Sequence, residues 1–166
     1  MRAKARGGIF VISGPSGSGK TTLAKGILAL PVFRRKLVRS VSLTTRPRRT
    51  GEVNSRDYFF VSRDEFSRLK RNKKILEWTR YLGYDYGTPK ALIDRGLSKK
   101  KFIVLCLDIR GARRVRFCYP DDTTTIFIMP PSFQRYIIHN DLPFMVFIIM
   151  SLSKCFALVK SLFTRQ

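Results

Sequence analysis

A glycine-rich segment near the start of the chain, GPSGSGKT at residues 14–21, constrains the fold more than any other feature of the sequence. It matches the pattern GxxxxGK[ST] and lies between an apolar run, GIFVIS at residues 8–13, and a helix-like stretch, TTLAKGILAL at residues 21–30. Glycines let backbone N–H groups converge on phosphate oxygens without Cβ clashes, and the following helix presents its positive end to the same anion. In this context the pattern predicts a loop that binds the phosphates of a nucleotide.

Two side chains of this loop have separate expected tasks. Lys20 is expected to contact the β and γ phosphates, and the Thr21 hydroxyl is expected to bind Mg²⁺ directly. A glycine-rich turn with a solvated lysine is the alternative, but a strand pattern and a helix pattern flank the segment and favour the nucleotide. The residues assigned to nucleotide binding are Gly14, Pro15, Ser16, Gly17, Ser18, Gly19, Lys20, Thr21 and Thr22.

The rest of the chain alternates strand-like and helix-like segments. Residues 36–45 and 57–61 are short extended candidates separated by a polar stretch rich in turn residues, and residues 63–70 have helical character. This middle region indicates a small inserted lobe. FIVLCLD after Lys101 and TTTIFIM at residues 123–129 are typical of buried strands. The alternation predicts an α/β fold, a P-loop-type parallel sheet with flanking helices.

Asp108 ends the FIVLCLD run, where a parallel strand would bring its carboxylate to the phosphate-binding edge of the sheet. An acid at a strand end is often a turn former or a helix cap. Because a phosphate loop is also present, we favour a metal role, in which Asp108 holds Mg²⁺ through water.

The composition is strongly basic, with 33 Lys and Arg against 11 Asp and Glu and a net charge of +22. Such a field attracts phosphates and accelerates the arrival of anionic ligands. The sequence has neither zinc-finger spacing nor an RNP-type aromatic motif, so we expect no specific nucleic-acid partner. An RNA-binding protein that uses the charge alone is a weaker alternative. The length of 166 residues suits one compact domain.

Several features favour a cytoplasmic protein. The three cysteines, Cys106, Cys118 and Cys155, lack CxxC spacing, and Cys106 lies in an apolar run, which predicts reduced core thiols. The basic N-terminus lacks the apolar core of a secretory signal. The apolar stretch at residues 142–152 is short for a membrane span and indicates a buried strand or helix. The oligomeric state is left open.

The segment from Ser40 reads SVSLTTRPRRTGEVNSRDYFFV, and the segment from Ile75 reads ILEWTRYLGYDYGTP. With the phosphate loop before them and IFIMPPS after them, they resemble guanylate kinases. That family has SVSxTTRxxRxGE, DYxFV, FxE(W/H) and YYGT-like motifs in this order and at this spacing. The resemblance covers roughly residues 8–132, and it implies transfer of a phosphoryl group from ATP to GMP with Mg²⁺, a step of purine metabolism.

The resemblance also implies a GMP site. Glu77 corresponds to the glutamate that accepts from guanine N1–H and N2–H₂, a pairing that adenine cannot reproduce. The guanidinium groups of two arginines and the phenolic hydroxyls of two tyrosines are suited to bind the GMP phosphate. The hydroxyls of Ser42 and Thr88 match family positions that complete the guanine pocket. Taken one at a time, these residues are better explained as surface charges or core aromatics. Their occurrence in the family's order after a phosphate loop favours a GMP-binding site. The GMP-binding set is Ser42, Arg46, Arg49, Tyr58, Glu77, Tyr86 and Thr88, and the catalytic set is Lys20, Arg46, Arg49 and Asp108.

Two departures from the family pattern bear on activity. Against the family motif LDIDxQGA, the sequence LDIRGA at residues 107–112 is interpreted as two residues short, with Arg110 where a second acid is expected. After PPS the family has a long arginine-bearing helical lid, whereas this chain has only FQRY before IIHNDL, so the lid is expected to be missing. A catalytically impaired nucleotide-binding or protein-interaction module is therefore the alternative function.

The organisation expected from these patterns is a domain over residues 1–132, with the GMP-binding lobe at about 38–90, and a divergent segment over residues 133–166 packed on the same domain. Residues 136–142 are either the late strand of the family, with Asn140 near the adenine, or part of an unrelated or frame-shifted tail. The second reading is slightly favoured.

Overall fold

The structure, a computed structural model, describes residues 7–15, 17–33, 35–128 and 145–148, the last of these by backbone alone. In chain order the elements are β1 (Gly8–Ser13), α1 (Lys20–Ala29), a 3-10 turn (Pro31–Phe33), β2 (Leu37–Arg39), β3 (Leu43–Thr44), β4 (Phe59–Phe60), α2 (Arg63–Arg71), β5 (Ile75–Tyr81), β6 (Tyr84–Pro89), α3 (Lys90–Ser98), β7 (Phe102–Leu107), α4 (Ile109–Cys118), β8 (Thr123–Ile128) and β9 (Met145–Ile148).

A parallel sheet forms the centre of the fold, with the strand order β2-β7-β1-β8-β9. Strand β1 pairs with β7 on one side and β8 on the other, and Ser13 stands opposite Leu107 in the register. The segments that leave the carboxyl ends of β1 and β7 are therefore neighbours. One carries the glycine-rich loop and the other begins with Asp108, which is the edge where open parallel sheets bind ligands.

The apolar runs of these strands are buried on both faces of the parallel sheet. Phe10, Ile12 and Val104 pack with α1 in one cluster, while Val11 and Leu105 pack with α3 and α4 in the other. Successive side chains of a strand point to opposite faces, so the two clusters use alternate residues of the same strands. This double burial explains why the strands read as continuous apolar runs.

A second, smaller sheet forms the inserted lobe, with the order β4-β3-β6-β5. Strands β5 and β6 form an antiparallel hairpin, β3 pairs antiparallel with β6, and β4 lies parallel to β3. Helix α2 connects β4 to β5. Its first turn is capped by Ser62, whose hydroxyl accepts from the backbone N–H of Glu65 at 3.1 Å, and such a cap stabilises a helix by about 1 kcal/mol.

The elements agree with the predicted fold class. The strand at residues 8–13, the helix after the glycine loop, the helix at 63–70 and the strand at 123–129 are confirmed, with small differences at their ends. The extended candidates at 36–45 and 57–61 form shorter strands. Within the apolar stretch 142–152, the backbone of Met145–Ile148 pairs in parallel with β8. Among the described residues, no helix is long and apolar enough to cross a membrane.

Candidate functional site

The glycine-rich loop turns between β1 and α1 by means of left-handed backbone conformations. Gly17 and Gly19 have φ values of 77° and 85°, and Gly19 stands at the N-cap of α1. A Cβ at Gly14 would collide with the carbonyl oxygen of Ile128 and would lie 2.9 Å from Ser18 Oγ. The hydroxyl of Ser18 is buried without a hydrogen-bond partner in the part of the chain that is described. A buried hydroxyl without a partner beside a close-packed loop is what a phosphate oxygen would satisfy.

Lys20 is folded over this loop. Its Nζ donates to the carbonyl oxygens of Gly14 at 2.8 Å and Pro15 at 2.5 Å. Partial burial lowers the pKa of the ammonium group, although the nearby Cys106 and Asp108 act in the opposite direction. Thr21 and Thr22 follow in the first turn of α1 and are exposed. The described loop residues assigned from the sequence lie in the turn between β1 and α1 and in the first turn of α1, while Ser16 lies outside the described residues.

A cavity of about 220 Å³ opens between the lobe and the parallel sheet. Four of the residues predicted to bind GMP line it together with Asp108, although they come from three separate parts of the sequence. Thr79, Tyr81, Gly87, Cys106 and Leu107 complete the wall, and sequence reasoning assigned none of them. The predicted residues in the lining are Ser42, Tyr58, Glu77, Tyr86 and Asp108.

Glu77 is the most buried acid of this cavity, with 7% of its surface exposed. Its Oε1 accepts a hydrogen bond from the Thr88 hydroxyl at 2.6 Å, and Thr88 itself is fully buried. Burial raises the pKa of the Glu77 carboxyl, the negative charge of Asp108 raises it further, and the bonds from Thr88 lower it. The structure therefore holds a desolvated carboxylate in place with one oxygen occupied by a fixed donor.

Arg46 and the two tyrosines form the opposite part of the lobe. Only 9% of Arg46 is exposed, and its guanidinium carbon lies 5.6 Å from the centre of the Tyr58 ring. The Tyr58 and Tyr86 rings meet edge to face at 6.1 Å. Arg49 lies in the exposed turn nearby. Arg46, Tyr58 and Tyr86 therefore form one cluster, with the Arg46 guanidinium beside the Tyr58 ring.

Glu52 holds Arg46 in this arrangement, and sequence reasoning gave it no role. Its Oε1 accepts from Arg46 Nη2 at 2.6 Å, and its Oε2 accepts from the backbone N–H of Arg49 at 2.8 Å. The hydrogen bond from Arg46 is the main cause that lowers the pKa of Glu52, and the same bond raises the pKa of Arg46. The signal was available, because Glu52 is the last residue of the quoted motif SVSLTTRPRRTGE.

Asp108 caps α4, since its Oδ1 accepts from the backbone N–H of Gly111 at 2.7 Å. The cap and the metal role were the two alternatives for this residue, and the cap is present. Asp108 also lines the cavity and lies close enough to Lys20 and Glu77 to influence both pKa values. The cap occupies one of the two carboxylate oxygens, Oδ1.

Cys106 corrects two expectations. The sequence predicts a core thiol, but Cys106 is exposed and lines the cavity, whereas its neighbours Leu105 and Leu107 are buried in the core. The interpretation of residues 107–112 as two residues short is also wrong. Counted back from Gly111 and Ala112, LDIDxQGA fits without a gap, since β7 runs unbroken to Leu107 and Asp108 caps the next helix. Cys106 and Asp108 then occupy the two acidic positions, and Arg110 replaces the glutamine.

Cys106 also joins the cavity to the phosphate loop. Its Sγ lies 3.7 Å from the carbonyl oxygen of Lys20. Protein surrounds the thiol on the sides away from the cavity, and this desolvation raises its pKa. The expectations for Asn140 and the strand at 136–142 lie outside the described residues.

Comparison with known protein families gives one match over most of the chain. A family model described as guanylate kinase matches residues 6–142. Similar curated proteins include the guanylate kinases of Rubrobacter xylanophilus, with 45% identity over 131 residues (78% of this chain and 66% of that protein), and of Bacillus subtilis, with 43% identity over 129 residues (78% and 62%). The aligned region therefore spans slightly less than two thirds of these relatives.

A similar solved structure is the crystal structure of guanylate kinase from Anaplasma phagocytophilum. It superimposes with a TM-score of 0.75 at 28% sequence identity, over 98% of this chain and 87% of that one. The similarity therefore covers both the parallel sheet and the inserted lobe.

Proposed function

The chain belongs to the guanylate kinase family, and from this we propose that it transfers the γ-phosphoryl group of ATP to GMP, forming ADP and GDP. The observation that carries the proposal is the cavity in which Glu77, Tyr58, Tyr86 and Asp108 meet, directly beside the loop that holds Lys20. The wall formed by the inserted lobe is suited to bind the guanine base and phosphate of GMP. The adjoining glycine-rich loop is suited to bind the triphosphate of ATP.

The loop supplies the donor site of this proposal. The glycines at 14, 17 and 19 have positive φ, and the space beside Gly17 is open to a phosphate oxygen. The buried Ser18 hydroxyl is without a partner among the described residues and can donate to such an oxygen. Lys20 would exchange the carbonyls of Gly14 and Pro15 for the β and γ phosphates, since a charged acceptor binds an ammonium more strongly than a neutral one.

The lobe supplies the acceptor site. Glu77 keeps one oxygen on Thr88 and presents a carboxylate to the cavity, where guanine N1–H and N2–H₂ are donors. Arg46, fixed by Glu52, together with Arg49 and the two tyrosines, would bind the GMP phosphate. Ser42, also in the lining, would complete the guanine pocket. Adenine has an acceptor at N1, so Glu77 is the basis of selectivity.

The chemistry needs no general base in the protein, because the attacking oxygen of GMP is already ionised. Catalysis then consists of alignment of the two nucleotides and neutralisation of the charge on the transferring group. Lys20, from the loop, and Arg46, from the lobe, hold the two phosphate groups from opposite sides. Lobe and loop meet at Cys106, so their relative position sets the distance between donor and acceptor.

The residues fit Mg²⁺ as the cofactor. Thr21 and Asp108 offer oxygen ligands, which Mg²⁺ prefers, and nucleotide phosphates and water commonly complete its coordination. Asp108 would act through water, since its Oδ1 is held by Gly111. When bound, Mg²⁺ supplies charge neutralisation to the phosphates. We place the reaction in the cytoplasm, because Cys106 and Cys118 are free thiols, which persist in reducing compartments.

The decisive test is ADP formation from ATP with GMP, AMP, CMP or UMP as the acceptor, for the parent chain and for Glu77→Gln. The parent should use GMP in preference to the other three. The variant places a donor where guanine needs an acceptor, and such a mismatch costs about 1–3 kcal/mol, so the preference for GMP over AMP should fall about 5- to 150-fold.

Glu65→Gln is the matched control. It makes the same chemical change on α2, where the carboxylate is exposed and pairs with Arg68, and it should keep the full preference for GMP. Equal use of all four acceptors by the parent chain would contradict the proposal that GMP is the substrate. An unchanged preference for GMP in Glu77→Gln would show that Glu77 does not select the base.

A further inference from the structure

Two exposed aromatic rings of this protein each lie against a cation, outside the nucleotide cavity. Trp78 on β5 is 46% exposed and Phe117 at the end of α4 is 78% exposed. Their partners are Lys70 and Arg114. We call these four residues the aromatic-basic strip. Large apolar rings that are exposed at a surface together with charges of one sign indicate a binding site.

The alternation of β5 places Trp78 away from the cavity. Glu77, Thr79 and Tyr81 line the cavity, so Trp78 and Arg80 lie on the opposite face of the strand. Helix α2 passes along this face, and Lys70 Nζ lies 3.2 Å from the centre of the indole ring. A ligand on Trp78 would therefore bind without entering the GMP site.

The second pair continues the same surface. Arg114 lies on α4 with its guanidinium carbon 5.7 Å from the centre of the Phe117 ring. The Nε of Arg114 also donates to the carbonyl oxygen of Leu76 at 3.4 Å, two residues before Trp78 on β5. This contact places Arg114 of α4 against the strand that carries Trp78, and Arg114 is therefore the residue that links the two ring–cation pairs.

Positive charge surrounds the strip. Within the described residues, neither Lys70 nor Arg114 forms an ion pair with a carboxylate. Further exposed cations are neighbours of the strip residues in the sequence, at the end of α2, in the turn after it and in the first half of α4. They are Arg71, Lys73, Lys74, Arg110 and Arg113. The uncompensated charge in this region is therefore available to a polyanion.

We propose that the aromatic-basic strip binds single-stranded nucleic acid without sequence preference. Bases stack on exposed aromatic rings, and the phosphates between them are neutralised by neighbouring lysines and arginines, which is how single strands are bound without base readout. An acidic peptide would satisfy the cations but would leave Trp78 and Phe117 without partners. A nucleic acid is a polyanion whose bases can stack on the aromatic rings while its phosphates contact Lys70 and Arg114.

This inference does not depend on the proposed kinase function, because the strip and the cavity use opposite faces of β5. The protein can therefore fail to bind nucleic acid and still bind GMP, or bind nucleic acid and fail to bind GMP. Each property is measured on the same full-length chain.

The first experiment uses Trp78 as the reporter, because it is the only tryptophan of the chain. Titration with an oligouridylate of about 12 nucleotides should quench its fluorescence, since that length covers a typical single-strand site. Inorganic polyphosphate carries the charge without the bases, and polyglutamate represents an acidic protein. Neither should quench as the oligouridylate does. Equal binding of polyglutamate would assign the strip to acidic proteins and overturn the proposal.

The second experiment measures the anisotropy of labelled oligouridylate with four variants. Trp78→Ala and Phe117→Ala should each weaken binding about 5- to 150-fold, the range found when a stacking residue is removed. Lys70→Gln and Arg114→Gln should reduce the salt dependence of binding. Val32→Ala is the matched control, because Val32 is also an exposed apolar residue but lies on the 3-10 turn.

The control should bind as the parent does. All variants should retain the circular dichroism spectrum and the GMP affinity of the parent, which separates loss of the strip from loss of the fold. Unchanged RNA affinity in both alanine variants, or no quenching of Trp78 by the oligouridylate, would overturn the proposal.

Discussion

Lys20 is the residue on which the donor site depends most directly. In the structure its ammonium group contacts only loop carbonyls among its hydrogen-bond partners in the described chain, so its removal breaks no packing between elements. Lys20→Met should leave the fold intact and lower ATP affinity about 10- to 100-fold, because a charge-assisted hydrogen bond is lost. Calorimetric titration with ATP measures this.

The control for that variant is Lys25→Met, an exposed lysine on the same helix, which should bind ATP as the parent does. Unchanged ATP affinity and activity in a folded Lys20→Met protein would rule out the phosphate loop.

Glu77 predicts a pH dependence of GMP binding. Guanine needs the ionised carboxylate as acceptor, and burial raises the pKa of this group above its ordinary value of 4.5. GMP affinity should therefore be complete above the raised pKa and should fall as pH decreases through it. The loss begins at a higher pH than for an exposed glutamate. GMP titrations across the acidic range test this, and a midpoint at or below the ordinary value would contradict it.

The same shift has the opposite effect on stability. The folded state binds the Glu77 proton more tightly than the unfolded state, so the free energy of unfolding falls as pH rises from the unfolded pKa to the folded one. Glu77→Gln removes this buried ionisable group, so it should raise the free energy of unfolding at neutral pH. Below the unfolded pKa the difference should vanish. Urea unfolding at both pH values measures it.

At the scale of the elements, Asp108 connects the end of β7 to the start of α4, and two substitutions separate its roles. Asn is as good a helix cap as Asp, so Asp108→Asn should keep the stability of the parent, whereas Asp108→Ala should lose about 1 kcal/mol. Both remove the carboxylate charge, and both should require more Mg²⁺ for ADP formation. An Asp108→Asn protein with the parent's activity at every Mg²⁺ concentration would reduce Asp108 to a cap.

The elements around the donor site could be predicted because their signals are local. The loop at residues 14–21 is one contiguous motif, and the helix at 63–70 carries its own cap and charge pattern. Cys106 was misplaced for the converse reason. FIVLCL reads as uniformly buried, and only the position of the helices shows that its end opens into the cavity. Burial at the end of a strand depends on which other elements pack against it. A run of apolar residues in the sequence carries no information about that packing.

The cavity lining shows the same limit. Glu77 and Thr88 were assigned because the quoted motifs carry them, and their hydrogen bond agrees with that assignment. Thr79 and Tyr81 follow from the alternation of β5 once Glu77 is placed on the cavity side. The motif contains Glu52, but its partner Arg46 lies six residues earlier, and only the turn between them brings the two side chains together.

For the whole molecule, we expect nucleotide binding and turnover to separate. The described residues include the phosphate loop and the lobe, but the sequence after Ser132 lacks the arginine-bearing lid that the resemblance leads one to expect. An arginine placed on the transferring group contributes about 10³–10⁵ in rate. The chain should bind ATP and GMP and form GDP far more slowly than a guanylate kinase with a complete lid.

Calorimetry with each nucleotide and single-turnover measurement of GDP formation test that expectation. A chimera with a family lid inserted after Ser132 should recover the rate without a change in GMP affinity. Turnover of roughly 1–100 per second in the parent chain, the ordinary range for kinases, would contradict it.

The thiol of Cys106 gives this pocket a chemical property that a carboxylate at the same position cannot have. A carboxylate does not add to an acrylamide, whereas a thiol does, and Cys106 faces the cavity beside Lys20. Its raised pKa makes it slow toward free electrophiles, but an acrylamide on a guanosine analogue would be held beside it at a high effective concentration. Mass spectrometry should find the adduct on Cys106 and should find it suppressed by excess GMP. Such a compound would spare relatives that keep the acid and would mark this chain permanently.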